Sequence, residues 1–284
     1  MIEIASELEA LRARVGAWRR EGLRVGFVPT MGNLHAGHHS LVKLARAHAD
    51  RVVASVFVNP TQFGPGEDFD RYPRTPEADA AGLEASGCDL LWLPSVETMY
   101  PYGPEATVRV QVPGITEVLE GAHRPGHFDG VATVVARLFN QVQPDVAAFG
   151  RKDYQQLAVI RYMACDLAFP IGILAGDTVR EDDGLAMSSR NQYLSADERA
   201  VAPALFRSLQ GVRAAMLAGA APAQAEAEAV SGLREAGFEV DYVAVRRADL
   251  GVPETGERGE FVVLAAARLG RTRLIDNLGF TLRC

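Results

Sequence analysis

Five short apolar runs, separated by stretches with helical patterning, limit what this chain can fold into. They are "LRVGFV" (23–28), "RVVASVFV" (51–58), "CDLLWL" (88–93), "DVAAF" (145–149) and "IGILA" (171–175). Near-continuous apolar runs of this length predict strands buried on both faces of a sheet. Between them, Leu41, Leu44, Ala45 and His48 recur at i, i+3, i+4 and i+7. A helix over 76–86 opens with Thr75 as its cap, Pro76 and acidic residues, and stops at Gly87. "GVATVVARLFNQV" precedes the strand at 145, and "YQQLAVIRYMACDLAF" follows it. Strands alternating with helices predict an α/β fold: a doubly wound, Rossmann-like parallel sheet with right-handed crossovers.

After about residue 177 the texture changes. "DTVREDDGLAMSSRNQYLSADERA" is polar, Ser195 is placed to cap a long Ala-rich helix, and "PAQAEAEAVSGLREAG" reads as a second helix. "FEVDYVAV", "EFVVLAAARLG" and "TRLIDNLGF" then read as strands of a small antiparallel sheet. The expected organisation is a Rossmann-like nucleotide-binding domain over 1–177 and a smaller α+β domain over 178–284 that covers the site. A chain of 284 residues has room for both.

With 48% hydrophobic and 23% charged residues the chain has the composition of a soluble globular protein. A formal charge of −7 argues against nucleic acid, whose phosphates demand a basic stripe. No apolar run approaches the roughly 20 residues of a membrane span, and "MIEIASELEA" has no signal-peptide pattern, so no membrane partner and a cytoplasmic location are expected. Cys88, Cys165 and Cys284 lie far apart and imply neither a disulfide framework nor a cysteine zinc site. Of 29 basic residues only Lys43 and Lys152 are lysines, so a lysine here can be present for its chemistry.

In an open parallel sheet, ligands bind beyond the carboxyl ends of the strands. The polar, glycine-punctuated loops "PTMGNLHAGHH", "NPTQFGPGEDFDRYPRT", "GRKDYQQ" and "GDTVREDDGLAMSSRN" all emerge there, which predicts one shared site. Gly37 and His38 fall at the start of a helix, where free backbone N–H groups and the helix dipole suit a phosphate. His35 and His38 can then bond phosphate oxygens and steady the charge on a leaving pyrophosphate. Two other readings stand beside this one. A zinc site needs a third ligand that no HExxH or Cys/His companion supplies; alternatively His35 and His38 are plain helix-start or core histidines, the reading given to His39 and His48. Neither GxxxxGK[ST] nor GxGxxG occurs, so a nucleotide must be held in another way.

"PTMGNLHAGH", "FVNPTQF", "DFDRYPRTPEAD", "RPGHFDGVATVV", "GRKDYQQ" and "VREDDGLAMSSRNQYL" resemble, in this order and over nearly the whole chain, the successive signatures of the pantothenate synthetase (pantoate-beta-alanine ligase) family. The HxGH element by itself resembles that of the wider nucleotidylyl transferase superfamily. The resemblance implies a two-step reaction, in which ATP and pantoate give pantoyl adenylate and pyrophosphate and beta-alanine then displaces AMP. It implies an ATP site of Met31, Gly32, Asn33, Leu34, His35, Ala36, Gly37, His38, Gly150, Arg151, Lys152, Asp153, Val179, Met187, Ser188, Ser189 and Arg190. His38, His35, Lys152 and Arg190 would carry the chemistry, with His38 in the place of the family's proton donor.

The resemblance also gives Gln62 and Gln156 to pantoate, Gln62 to beta-alanine as well, and a homodimer. Asn59 would shape its loop or touch beta-alanine. Mg2+ is expected with ATP, held by phosphates and waters near Asp68, Asp70 and Asp153 rather than by a direct protein ligand; a solvated acidic loop is the equal alternative for Asp68 and Asp70. Arg124, with His127 beside it, could reach a phosphate or the beta-alanine carboxylate. Arg151 departs from the glutamate of "GEKD" in many relatives, and is expected to face away from the triphosphate or add to its positive field. A nucleotidyl transferase of the same superfamily acting on another small substrate, and a non-catalytic nucleotide-binding protein, are the rival functions.

Overall fold

The computed structural model describes residues 2–64, 69–254 and 256–283. The first half runs β1 (Glu3–Ala5), α1 (Leu8–Arg20), β2 (Val25–Thr30), α2 (Ala36–Arg46), β3 (Arg51–Val56), α3 (Pro76–Ala85), β4 (Leu90–Trp92) and the short helices α4 (Val96–Met99) and α5 (Glu120–His123). It continues through α6 (His127–Val142), β5 (Val146–Gly150), α7 (Tyr154–Asp166) and β6 (Gly172–Gly176). The remainder holds α8 (Ala196–Val201), α9 (Ala204–Leu217), α10 (Pro222–Glu235), β7 (Glu239–Arg247), β8 (Gly259–Leu269) and β9 (Thr272–Leu282). Two compact units result, one of Met1–Arg151 with Gln156–Asp177, the other of Lys152–Gln155 with Thr178–Cys284.

The larger unit is built on a six-stranded sheet in the order β1-β4-β3-β2-β5-β6, and every pairing in it is parallel. Strand alternation sends residues to two apolar layers. Phe27, Val53, Leu90, Trp92, Ala147 and Phe149 face the core shared with α1, α6 and α7, whereas Val28, Val52, Ala54, Leu91 and Ala148 face that of α2 and α3. Each buried Val, Leu or Phe among them contributes ~1.5–3 kcal/mol relative to exposure. α2 sits close to β2 because position 26 is glycine; a Cβ there would lie 3.2 Å from the Cβ of Ala45. From β2 the chain winds out through β3 and β4, and then restarts on the opposite side with β5 and β6. The resulting switch point lies at the carboxyl ends of β2 and β5, where such sheets bind ligands.

The smaller unit has a three-stranded antiparallel sheet, β7-β8-β9, covered by α9 and α10. Three expectations change in detail. The long helix after Ser195 is two helices, since Pro203 cannot donate an N–H and its ring crowds the preceding turn. Ser195 does cap the first of them, in a reciprocal pair with Glu198. Thr75 stands at the start of α3, but its hydroxyl donates to Asp79 Oδ1 (3.1 Å) instead of capping the helix. α2 ends at Arg46, leaving His48 exposed beyond it, with Nδ1 3.0 Å from the Leu44 carbonyl.

Candidate active site

The chain leaves β2 at Thr30 and enters α2 through Met31–His35, with left-handed backbone at Gly32 (φ 86°) and Asn33 (φ 50°). His35 is the N-cap. Its Nδ1 accepts from Gly37 N (3.2 Å), while His38 Nδ1 accepts from His35 N (3.3 Å), and the ring centroids lie 4.1 Å apart. A nitrogen that accepts carries no proton, so each neutral ring holds its hydrogen on Nε2. This alters the expectation of free amides at the helix start. Gly37 N is taken by the imidazole, and His38 N bonds the His35 carbonyl at 2.8 Å. The donors here are two imidazole Nε2–H groups set one helical turn apart, suited to oxygens of a phosphate.

The loop is fixed from below by a residue whose role the sequence does not announce. Asp79, only 3% exposed in α3, accepts from Leu34 N (2.8 Å) through Oδ1 and from Asn33 N (3.0 Å) through Oδ2. A Cβ at Gly32 would sit 3.1 Å from Asp79 Oδ2 and 3.0 Å from Val56, so glycine is required both for the turn and for this approach. An acidic residue in a helix's first turn normally reads as a dipole partner; its burial could be found only from tertiary structure.

After β3 the chain forms a single 3-10 turn, Pro60–Gln62, begun by Asn59. Asn59 is buried and occupied: Oδ1 accepts from Thr61 N (3.2 Å), Thr61 Oγ1 (3.0 Å) and Tyr100 OH (2.6 Å), and Nδ2 donates to Gln62 Oε1 (3.1 Å) and the Gly130 carbonyl (3.2 Å). It therefore shapes the loop. Burial pushes the Tyr100 phenol up, which keeps its hydrogen available for Asn59. Gln62 directs Nε2 at Met31 Sδ (3.0 Å), joining this turn to the loop after β2. His127 Nδ1 donates to the Gln62 carbonyl (2.8 Å), so its Nε2 accepts from Arg124 Nη1 (3.0 Å). A side chain at Gly130 would strike Thr61 and the Cα of Gln62, so α6 can meet the turn only with glycine there.

In the smaller unit, Lys152 lies in a 3-10 turn, Arg151–Asp153, with its side chain 19% exposed and Nζ 3.8 Å from Asp153 Oδ1. Its carbonyl accepts from Asn277 Nδ2 (2.8 Å). Residues 179–187 fold back on themselves: Met187 N donates to the Val179 carbonyl (3.0 Å), and Arg180 bridges Ala186. Ser188 then caps a 3-10 turn, Ser189–Tyr193, by accepting from Arg190 N (3.2 Å). Asn191 Nδ2 donates to the Ala186 carbonyl (3.0 Å), which ties this turn to the fold-back.

The larger unit thus brings Met31–His38 together with Gln62. Gly150 closes β5, and Gln156 is half-buried on the first turn of α7. The smaller unit holds Lys152, Asp153, Val179 and Met187–Arg190. Arg151 turns to Asp177, with Nε 3.3 Å from Oδ1, an exposed pair worth ~0–1 kcal/mol. Asp70 is exposed, and Asp68 lies outside the described residues. His39 packs on Gly82 of α3, and burial lowers its pKa. Among the described residues no group of three or more His, Cys, Asp or Glu side chains could hold a metal ion. No helix of the described residues is long and apolar enough to cross a membrane.

Known proteins resemble this chain over nearly its whole length. The family model described as pantoate-beta-alanine ligase matches residues 3–279. The chain is 65% identical over 280 residues to the pantothenate synthetase of Stenotrophomonas maltophilia (strain R551-3), covering 99% of this chain and 100% of that protein. It is 66% identical over 281 residues to that of Xylella fastidiosa (strain 9a5c), with the same coverage. The crystal structure of pantothenate synthetase from Thermus thermophilus superposes with a TM-score of 0.91 at 50% identity, over 98% of this chain and 99% of that one. Pantoate-beta-alanine ligase from Francisella tularensis, complexed with beta-gamma ATP and beta-alanine, gives 0.82 at 31% identity, over 98% and 97%.

Proposed function

The chain belongs to the pantoate-beta-alanine ligase family, and from that premise we propose how its own residues carry the reaction. The protein condenses pantoate with beta-alanine to pantothenate at the expense of ATP. In the first step a pantoate carboxylate oxygen bonds to the alpha phosphorus as the bond from that phosphorus to the bridging oxygen breaks, and pyrophosphate leaves. In the second, the beta-alanine amine attacks the acyl carbon of the adenylate, AMP departs, and the amine loses a proton to give the amide.

Two anions must meet in the first step, so fixed positive charge and positioning are the main requirements. The observation that carries the residue assignment is the reciprocal His35–His38 cap, which sets the hydrogen of each neutral ring on Nε2. His38 and His35 bond phosphate oxygens as charge passes to the leaving pyrophosphate. Lys152 follows the alpha phosphate as a compact charge, and Arg190 can fork two phosphate oxygens. Met31–His38, Gly150–Asp153, Val179 and Met187–Arg190 make up the ATP-binding set, with Ser188 and Ser189 offering hydroxyls. Residues 1–177 bind nucleotide and pantoate, and 178–284 supply the rest of that set.

Mg2+ would come with ATP, held by phosphates and waters; Asp153 and Asp70 would offer hard carboxylate oxygens to those waters, and the ion would supply charge neutralisation on the phosphates. Gln62 and Gln156 bind pantoate, and Gln62 contacts beta-alanine. The protein works in the cytoplasm as a homodimer, whose mass in solution would be twice that of the chain.

The deciding assay follows pyrophosphate from ATP and pantoate, with and without beta-alanine. Pyrophosphate should form with pantoate alone, and AMP should be released only once beta-alanine is added. Release that ignores pantoate would favour a transferase acting on another substrate. Gln62→Ala should raise the pantoate KM by roughly 10- to 100-fold, the loss expected for a hydrogen bond to a charged group. An unchanged pantoate KM would remove Gln62 from the site.

A further inference from the structure

Asp276 and Asn277 sit side by side in β9, 4% and 7% exposed, far in sequence from the residues assigned to ATP. Asp276 takes Arg180 in a forked pair, Oδ2 to Nη1 at 2.7 Å and Oδ1 to Nη2 at 3.0 Å. Arg180 also donates to the Gly184 carbonyl (3.1 Å) and the Asn277 carbonyl (3.3 Å), and its guanidinium carbon lies 3.6 Å from the Phe206 ring centroid. Arg180 therefore closes the fold-back that presents Val179 and Met187. Asn277, whose amide N–H donates to Asp276 Oδ1 (2.8 Å), reaches the other way with its side chain, to the Lys152 carbonyl. One dipeptide thus grips both separate strips of the smaller unit's ATP-binding set.

A second tether acts on the same strip, since Tyr154 OH donates to the Ala248 carbonyl (2.9 Å). Lys152–Gln155 is in this way fastened to the smaller unit although it follows β5 directly in the chain. Nothing in the geometry requires Asn277 to touch a substrate. Its position does dictate where the Lys152 backbone lies, and a shift of about 1 Å in a charged group can cost roughly 100-fold in rate.

We propose that Asn277, held in register with Arg180 by Asp276, is a positioning residue that sets the Lys152 ammonium relative to the Val179–Met187 fold-back. The inference rests on Lys152 acting in adenylate formation, as assigned above. Its test is a double-mutant cycle on pyrophosphate release in the full chain, using Asn277→Ala, Lys152→Ala and the pair. Asn277→Ala should lower kcat by roughly 10- to 100-fold with the pantoate KM unchanged. In the Lys152→Ala background it should cost less than about twofold, because the group it positions is gone. Asn277→Ser, which keeps a small polar side chain but cannot span to the Lys152 carbonyl, should repeat this pattern if the alanine variant folds poorly.

Equal losses in both backgrounds, or an unchanged kcat in Asn277→Ser, would overturn the proposal. Near-normal turnover in Lys152→Ala alone would instead overturn the assignment beneath it, so the two failures are distinguishable.

Discussion

Lys152→Ala should lower single-turnover pyrophosphate release from ATP and pantoate by roughly 100- to 1000-fold, the loss typical of removing one preorganised group that stabilises developing charge. The side chain is largely buried, and its contact with Asp153 is loose at 3.8 Å, so a phosphate oxygen can displace that carboxylate without breaking a tight pair. The strip is anchored through the Lys152 carbonyl, which the substitution leaves in place, so the fold should survive. Lys152→Arg should recover only part of the rate, since a planar fork cannot follow the alpha phosphate as a compact ammonium does. His38→Ala should show a loss of similar size, with the helix start weakened by ~1 kcal/mol through loss of the reciprocal cap. Near-normal turnover in both variants would refute the assigned roles.

The second large effect is structural at its source. Asp79→Ala should reduce unfolding free energy by about 2–4 kcal/mol, because the Asn33 and Leu34 amides and the Thr75 hydroxyl lose their acceptor together. The turn through Gly32 and Asn33 has positive φ at both residues and persists because its surroundings over-determine it. Activity should therefore fall along with stability, even at a temperature where the variant is fully folded. Asp79→Asn should be impaired too, since its NH2 group must face one of the two backbone amides. Chemical denaturation and pyrophosphate release measured on the same sample check both effects, and unchanged stability in Asp79→Ala would contradict the anchoring role.

The larger unit was legible because five of its strands read as unbroken apolar runs between helices, and four of those lie inside the sheet. β1 was not, since three residues with only Ala5 buried give no period. The histidine pair was legible as a helix start, but its reciprocal cap was not: sequence rules favour Ser, Thr, Asp or Asn at the N-cap and do not anticipate an imidazole acceptor. Asp79, Asn59 and Asn277 are polar residues whose importance comes from burial, and their decisive partners lie 45 to 125 positions away. Pro203 was visible in the sequence and could have marked the break between α8 and α9. The alanine richness around it concealed that break.

The coupling between rings 35 and 38 makes acid a structural perturbant as well as a chemical one. An imidazolium has hydrogen on both nitrogens and can accept from neither backbone amide, so charging either ring would uncap the start of α2. An asparagine at position 35 could begin the helix equally well, but its short side chain could offer nothing where the imidazole projects Nε2. The demand met by histidine there is reach beyond the helix end, and helix initiation alone would not require it.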